Sequence, residues 1–303
     1  MNPWTPLIAA TIGWASSAVM SRAVLVRGVD AFTLVPVRML FAMVTLGVIL
    51  VVSPRFRTLD PEAWKRGLIL GTVSMALPMT LMTLGLEDLP VSLGGLLVAL
   101  IPIATIAAAH FLVAGERFHA KALPGLLVAL AGSGLLVGLG GASTAGVGDL
   151  WRGVGFTLSG VAMAGLGGAF ARRFALEMSS DRLVLPQFSV NTVTVFLIAP
   201  FLTGTDLGGI ELSTWLLMAA VGAIGTALPF ISFLIGASVN PASRLALTGY
   251  AVPVVAVALA VMFLGESLTP EIIGGAVLIL TGVVLAERST PAHVPEPGVF
   301  EAR

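Results

Sequence analysis

Arg38 stands six residues inside an apolar run, 32–52, that contains no acidic residue to pair with it. A cation at that depth of a bilayer costs about 2.5–3.5 kcal/mol on insertion scales, so it must face protein, water or ligand. Two chemistries suit it. The guanidinium binds a substrate carboxylate, or it locks helix ends by bonding a carbonyl, Glu87 or Asp88 of the neighbouring hairpin. His110 lies near the end of another apolar run. Its intrinsic pKa suits a proton carrier, and a position so close to the interface suits a plain interfacial residue. Gln187 and Asn191, one turn apart, can hydrogen-bond substrate or neighbouring helices. Arg244 is either a cytoplasmic anchor or a gate, and Glu116 and Glu266 follow glycines as helix-ending residues. Other chemistry is scarce. The 303 residues hold no cysteine, three histidines, no His-Glu-x-x-His and no Gly-x-x-x-x-Gly-Lys-Ser/Thr. Thiolate chemistry is thereby ruled out, a nucleotide-driven pump is disfavoured, no metal or cofactor is expected, and an intramembrane enzyme is a weak competitor.

Elements that position such residues must be membrane helices. Hydrophobic residues make up 57% of the chain and charged residues 11%, against about 25% charged in soluble domains; mean hydropathy is +1.01. Sixteen basic and sixteen acidic residues cancel, so a nucleic-acid partner is excluded. "MNPWTP" lacks the basic stretch and cleavage site of a secretory signal, so the first helix is expected to be retained. At about 20 apolar residues per span, the sequence predicts ten: 4–26, 32–52, 66–86, 90–113, 122–140, 152–175, 183–203, 214–237, 241–264 and 270–287. The last residues, 289–303, read as a disordered cytoplasmic tail. Twelve lysines and arginines fall on the side shared by both termini, Lys65, Arg117 and Arg173 among them, against Arg22, Arg27 and Arg152 opposite. That bias places both termini in the cytoplasm.

The chain repeats itself. At an offset of 151, Trp64 meets Trp215, Ala76-Leu77-Pro78 meets Ala227-Leu228-Pro229, Gly85 meets Gly236 and Pro102 meets Pro253. At 150, Gly115-Glu116 meets Gly265-Glu266, and at 147 Gly13 meets Gly160. Each repeat, 1–145 and 146–288, holds five spans, and an odd number inverts the second half in the membrane. The predicted fold is therefore an all-α integral membrane protein of two inverted five-helix repeats, the architecture of secondary transporters. Pro78, Pro102, Pro229 and Pro253 fall within spans, and paired proline-interrupted helices point to a binding site. They are the expected hinges, with Arg244 as the candidate gate. Trp14, Ser17, Met75, Met79, Phe230, Phe233 and Tyr250 lie near the breaks and, with Arg38 and Pro78, form the expected substrate site. Methionines and aromatics there suit an amphipathic ligand.

The segments "LPVSLGGLLVALIPIATIAAAHFLVAGERF" and "VNPASRLALTGYAVPVVAVALAVMFLGESLT", with mid-helix proline followed by Gly-Glu, resemble the drug/metabolite transporter superfamily. The similarity is to members with two EamA-type domains and covers residues 4 to 287; "LVPVRMLFA", with Arg38, is similar to the family's second helix. This resemblance implies export of small metabolites, amino acids among them, across a bacterial-type plasma membrane. A lipid or lipid-headgroup flippase is the competing reading. A small-molecule substrate and the lipid bilayer are the expected partners, and His110 is the candidate coupling residue should a proton be carried; oligomeric state is open.

Overall fold

The structure, a computed structural model, describes residues 2–53, 56–113, 120–138, 148–199, 207–240 and 242–288. Among them are ten membrane-type helices and no strand. They are α1 (Trp4–Leu25), α2 (Ala31–Val52), α3 (Pro61–Ile69 continuing to Asp88), α4 (Val91–Val98 and Ile101–Leu112) and α5 (Leu123–Gly138). The second half has α6 (Leu150–Ala175), α7 (Asp181–Ile198), α8 (Leu212–Gly222 continuing to Val239), α9 (Ala242–Leu264) and α10 (Pro270–Arg288). Each predicted span coincides with one helix. Seven are long and apolar enough to cross a membrane, and α5 and α10 carry shorter apolar segments. In α7 the polar Gln187, Ser189, Asn191, Thr192 and Thr194 dilute the apolar run. The expected tail and the Gly115-Glu116 motif lie outside the described residues.

Helix ends follow local chemistry. Asp30 accepts from the Thr33 N–H at 2.8 Å, and Asp60, just before Pro61, accepts from the Glu62 N–H at 3.0 Å. Carboxylates here satisfy the donors that a helix start leaves open. Gly265 ends α9 at φ +68°, a left-handed conformation that costs glycine nothing. Glu266 then turns back to cap α4, accepting from the Val91 and Ser92 N–H groups at 2.6 and 2.8 Å.

The paired prolines have a local consequence. In α3 the segment Leu70–Ala76 is π-helical, and Pro78 is second in the α-helix that resumes. In α8 the segment Ala223–Ala227 is π-helical, and Pro229 stands in the same place. Proline has no N–H for the carbonyl four residues earlier, and its ring crowds that turn. Both helices respond with a widened turn, the usual device where a helical ladder must skip a bond. Pro102 follows a short turn at Ala99–Leu100 that divides α4. Pro253 differs from expectation: α9 runs unbroken through it, so three of the four helices expected to break at these prolines are interrupted.

Packing follows the repeat. Helix α1 lies against α8 and α9, as α6 lies against α3 and α4; α2 lies against α8, as α7 lies against α3; α5 lies against α10. Glycines allow the closest approaches. A Cβ on Gly13 would lie 2.8 Å from Pro229 Cβ, and one on Gly160 would lie 3.1 Å from the Pro78 carbonyl oxygen. Each proline turn thus seats a glycine of the other half. The resulting core runs through Val35, Met39, Ala76, Phe188 and Ala227, joining α2, α3, α7 and α8.

Candidate functional site

Helix α8 sits so close to α1 and α2 because Gly222 and Gly225 have no side chains. A Cβ at Gly225 would lie 2.9 Å from Ser17 Oγ, and one at Gly222 would collide with the Arg38 carbonyl oxygen. That approach carries the π-helical turn, with Thr226, up to Arg38. The guanidinium Nη2 donates to Ser17 Oγ at 3.0 Å and to Thr226 Oγ1 at 2.9 Å. Thr226 in turn donates to the Val221 carbonyl at 2.9 Å, five residues back, satisfying an acceptor within the widened turn. Arg38 is 8% exposed. Its Nε has no hydrogen-bond partner, and among the described residues it forms no ion pair. Two neutral hydroxyls orient a cation without neutralising it, and a buried charge favours a counter-ion strongly. An anion is what this arrangement can hold.

The alternative lock does not form. Asp88 is engaged by Arg152, with Nε–Oδ2 and Nη2–Oδ1 both 2.7 Å. Glu87 accepts from the Ala31 N–H at 2.7 Å, and the last carbonyls of α3, Leu86 and Glu87, accept from Arg22 at 2.6 and 2.9 Å. The hairpin carboxylates are therefore spent on helix ends, leaving Arg38 to the hydroxyls.

Met39, the residue after Arg38, belongs to an apolar cluster. Met75, Met79 and Phe230 pack on the core of Met39 and Phe188, and Phe230 meets the Phe188 ring edge-on at 5.2 Å. Trp14 contacts Phe233 with ring centroids 5.3 Å apart. Ser17 and Trp14 are one turn apart on α1, as Thr226 and Phe230 are on α8, so polar and aromatic groups alternate along the same two helices. The repeat breaks its symmetry here. Thr226 corresponds to Met75 and Arg38 to Phe188 at offsets of 151 and 150, so the cation and the hydroxyl that meets it have apolar counterparts in the other half.

Other expected site residues are placed elsewhere. Tyr250 packs against the separate cluster of Leu93, Leu97 and Val161 between α4, α6 and α9. Pro78 and Pro229 are buried at the two turns; Pro102 and Pro253 belong to the α4 and α9 pair. Arg244 donates to Asn240 Oδ1 at 3.3 Å and lies 5.1 Å from the Trp4 ring, tying the start of α9 to that of α1. His110 is exposed at the end of α4, edge-on to Phe111. Sequence reasoning missed Thr226, Phe188 and the mid-helix pair Pro36 and Pro186, although the 150-residue offset aligns those prolines. An apolar groove of about 160 Å³ between α4, α5, α6 and α10 is lined by Leu100, Ile103, Ala107, Leu126 and Val161.

No curated protein matches this sequence. Among solved structures 21 chains match. One, a crystal structure whose description names no function, agrees with a TM-score of 0.65 and 20% identity over 96% of this chain and 99% of its own. That likeness is one of fold. The family model described as EamA-like transporter family matches twice, at residues 6–138 and 151–287, one match for each set of five helices. With both halves matched, from the start of α1 to the end of α10, the chain belongs to the EamA-like transporter family.

Proposed function

We propose that this membrane transporter is a secondary carrier that exports small metabolites bearing a carboxylate, amino acids among them, by alternating access. Family membership makes it a multi-pass membrane transporter of the drug/metabolite type. The carboxylate rests on one observation: Arg38 is buried, held by Ser17 and Thr226, and without an acidic partner among the described residues. In this reading the repeats are inverted five-helix units, residues 1–145 and 146–288, that exchange conformations about the proline turns with both termini in the cytoplasm. The membrane is the plasma membrane, and export follows the family resemblance. Met75, Met79, Phe230, Phe233 and Trp14 cover the apolar body of the substrate.

Counterflow into proteoliposomes preloaded with an amino-acid panel tests the proposal. Arg38→Met is expected to abolish saturable exchange with folding intact. Thr226→Val leaves a charged donor short of an acceptor, about 1–3 kcal/mol, and is expected to raise half-saturation about tenfold. Unchanged exchange in Arg38→Met would rule the carboxylate site out. The apolar groove between α4, α5, α6 and α10 favours a lipid flippase as second reading, and lipid scrambling without metabolite exchange in the same vesicles would establish it.

A further inference from the structure

A second buried polar group belongs to the helix packed on the other proline turn. Asn191 of α7 is fully buried, and its side-chain oxygen Oδ1 has no hydrogen-bond partner. The amide nitrogen Nδ2 donates to Met39 Sδ at 3.4 Å. A thioether sulfur accepts but cannot donate, so the N–H end of the amide belongs at the sulfur and the carbonyl end is the one left open. Met39 follows Arg38 on α2, so the two groups with open atoms are attached at consecutive residues of that helix, one by contact and one by sequence.

The helix that carries it is packed closely. Gly71, inside the π-helical turn of α3, lies so close to α7 that a Cβ there would sit 2.7 Å from the Gln187 carbonyl oxygen and 2.9 Å from the Asn191 backbone nitrogen. The backbone of α7 at Asn191 is therefore packed against the break in α3, and its side-chain amide is held by Met39 of α2. An open acceptor buried in the bundle costs about 1–3 kcal/mol, and the same volume of leucine would avoid that cost. A donor from outside the chain resolves the imbalance.

We infer that Asn191 is a specificity residue: its Oδ1 accepts a hydrogen bond from an N–H or O–H of the substrate, whose carboxylate Arg38 holds. The inference rests on the carboxylate reading above and narrows it to amino or hydroxy acids over plain carboxylic acids. A site built to receive a hydrogen bond rejects the analogue that lacks the donor far more strongly than an apolar pocket rejects a missing methylene.

The test uses the purified full-length chain in liposomes and three matched probes: leucine, 2-hydroxy-4-methylpentanoate and 4-methylpentanoate. Leucinol, which keeps donors and lacks the carboxylate, is the fourth. Wild type is expected to half-saturate with leucine and the hydroxy acid at about tenfold lower concentration than with 4-methylpentanoate. Asn191→Leu is expected to bring the three together by weakening the first two and sparing the third. Asn191→Ala makes the same loss and serves if the leucine variant does not fold, as thermal unfolding would report. No preference in wild type, or a preference unchanged in folded Asn191 variants, overturns the inference. If that happens while Arg38→Met still abolishes exchange, the carboxylate reading survives alone. If leucinol is exchanged as well as leucine and Asn191→Leu weakens both, the carboxylate reading fails and the role of Asn191 stands. Folded wild-type protein that exchanges none of the probes overturns both.

Discussion

Arg152 closes a two-point ion pair on Asp88, Nε to Oδ2 and Nη2 to Oδ1 both at 2.7 Å, and so fastens the start of α6 to the end of α3. The partners are unequal: the Asp88 side chain is 3% exposed and that of Arg152 57%. Removing the arginine strands a buried carboxylate whose remaining hydrogen bond among the described residues comes from the Asp149 N–H at 3.2 Å. Removing the aspartate frees an arginine that water can solvate. Arg152→Ala is therefore expected to destabilise by about 1–3 kcal/mol, and Asp88→Ala by less. Thermal unfolding in detergent followed by tryptophan fluorescence checks the order, and a greater loss in Asp88→Ala would refute this account of the pair.

The glycines against the proline turns make a second prediction. Gly13→Ala must push on Pro229 and the Ile224 carbonyl, and Gly160→Ala on Met82 and the Pro78 carbonyl. Gly155 lies in the same helix as Gly160, but a methyl group added there would meet nothing within 4 Å. Both contact-site substitutions are expected to lower the unfolding temperature and the transport rate. Gly155→Ala is expected to be neutral or to stabilise by about 0.5–1 kcal/mol, the helical gain of alanine over glycine. Equal effects at Gly13 and Gly155 would show that the close approach does not matter.

The hinge proposed at Pro78 and Pro229 predicts an effect on motion rather than on stability. Alanine in either position supplies the missing N–H and lets the π-helical turn relax toward regular helix. Pro78→Ala, Pro229→Ala and the double variant are expected to keep or raise the unfolding temperature while turnover falls about tenfold or more, because hinge residues act on the rate of exchange between states. Initial rates of counterflow at saturating substrate give the measurement, and wild-type turnover in the double variant would remove the hinge role.

Topology yields to labelling, since a chain without cysteine needs no background removed. Val26 and Leu176 directly follow the last residues of α1 and α6, equivalent places in the two repeats, and both are exposed. Inverted repeats with cytoplasmic termini place them on opposite faces. In intact cells an impermeant maleimide is expected to modify Val26→Cys and to leave Leu176→Cys and Leu59→Cys unmodified until the membrane is opened. Modification of Val26→Cys and Leu176→Cys alike would mean that the repeats run parallel.

Much of this molecule follows from local chemistry. Apolar runs bounded by charged or turn-forming residues determined the ten helices, because a backbone without water must bond within its own helix. Proline at Pro78 and Pro229 determined where α3 and α8 depart from regular geometry, since a missing N–H acts within one turn. Which side chains meet was decided only by the tertiary structure. Apolar residues surround a membrane helix, so no amphipathic stripe shows which face of α2 turns inward or what it meets. Arg38 finds Thr226, 188 residues away, because Gly222 and Gly225 let α8 approach, and Asp88 goes to Arg152 because α6 starts beside it. Asn191 reads in sequence as any polar residue of a span. Its open oxygen exists only because Met39, on another helix, takes the nitrogen.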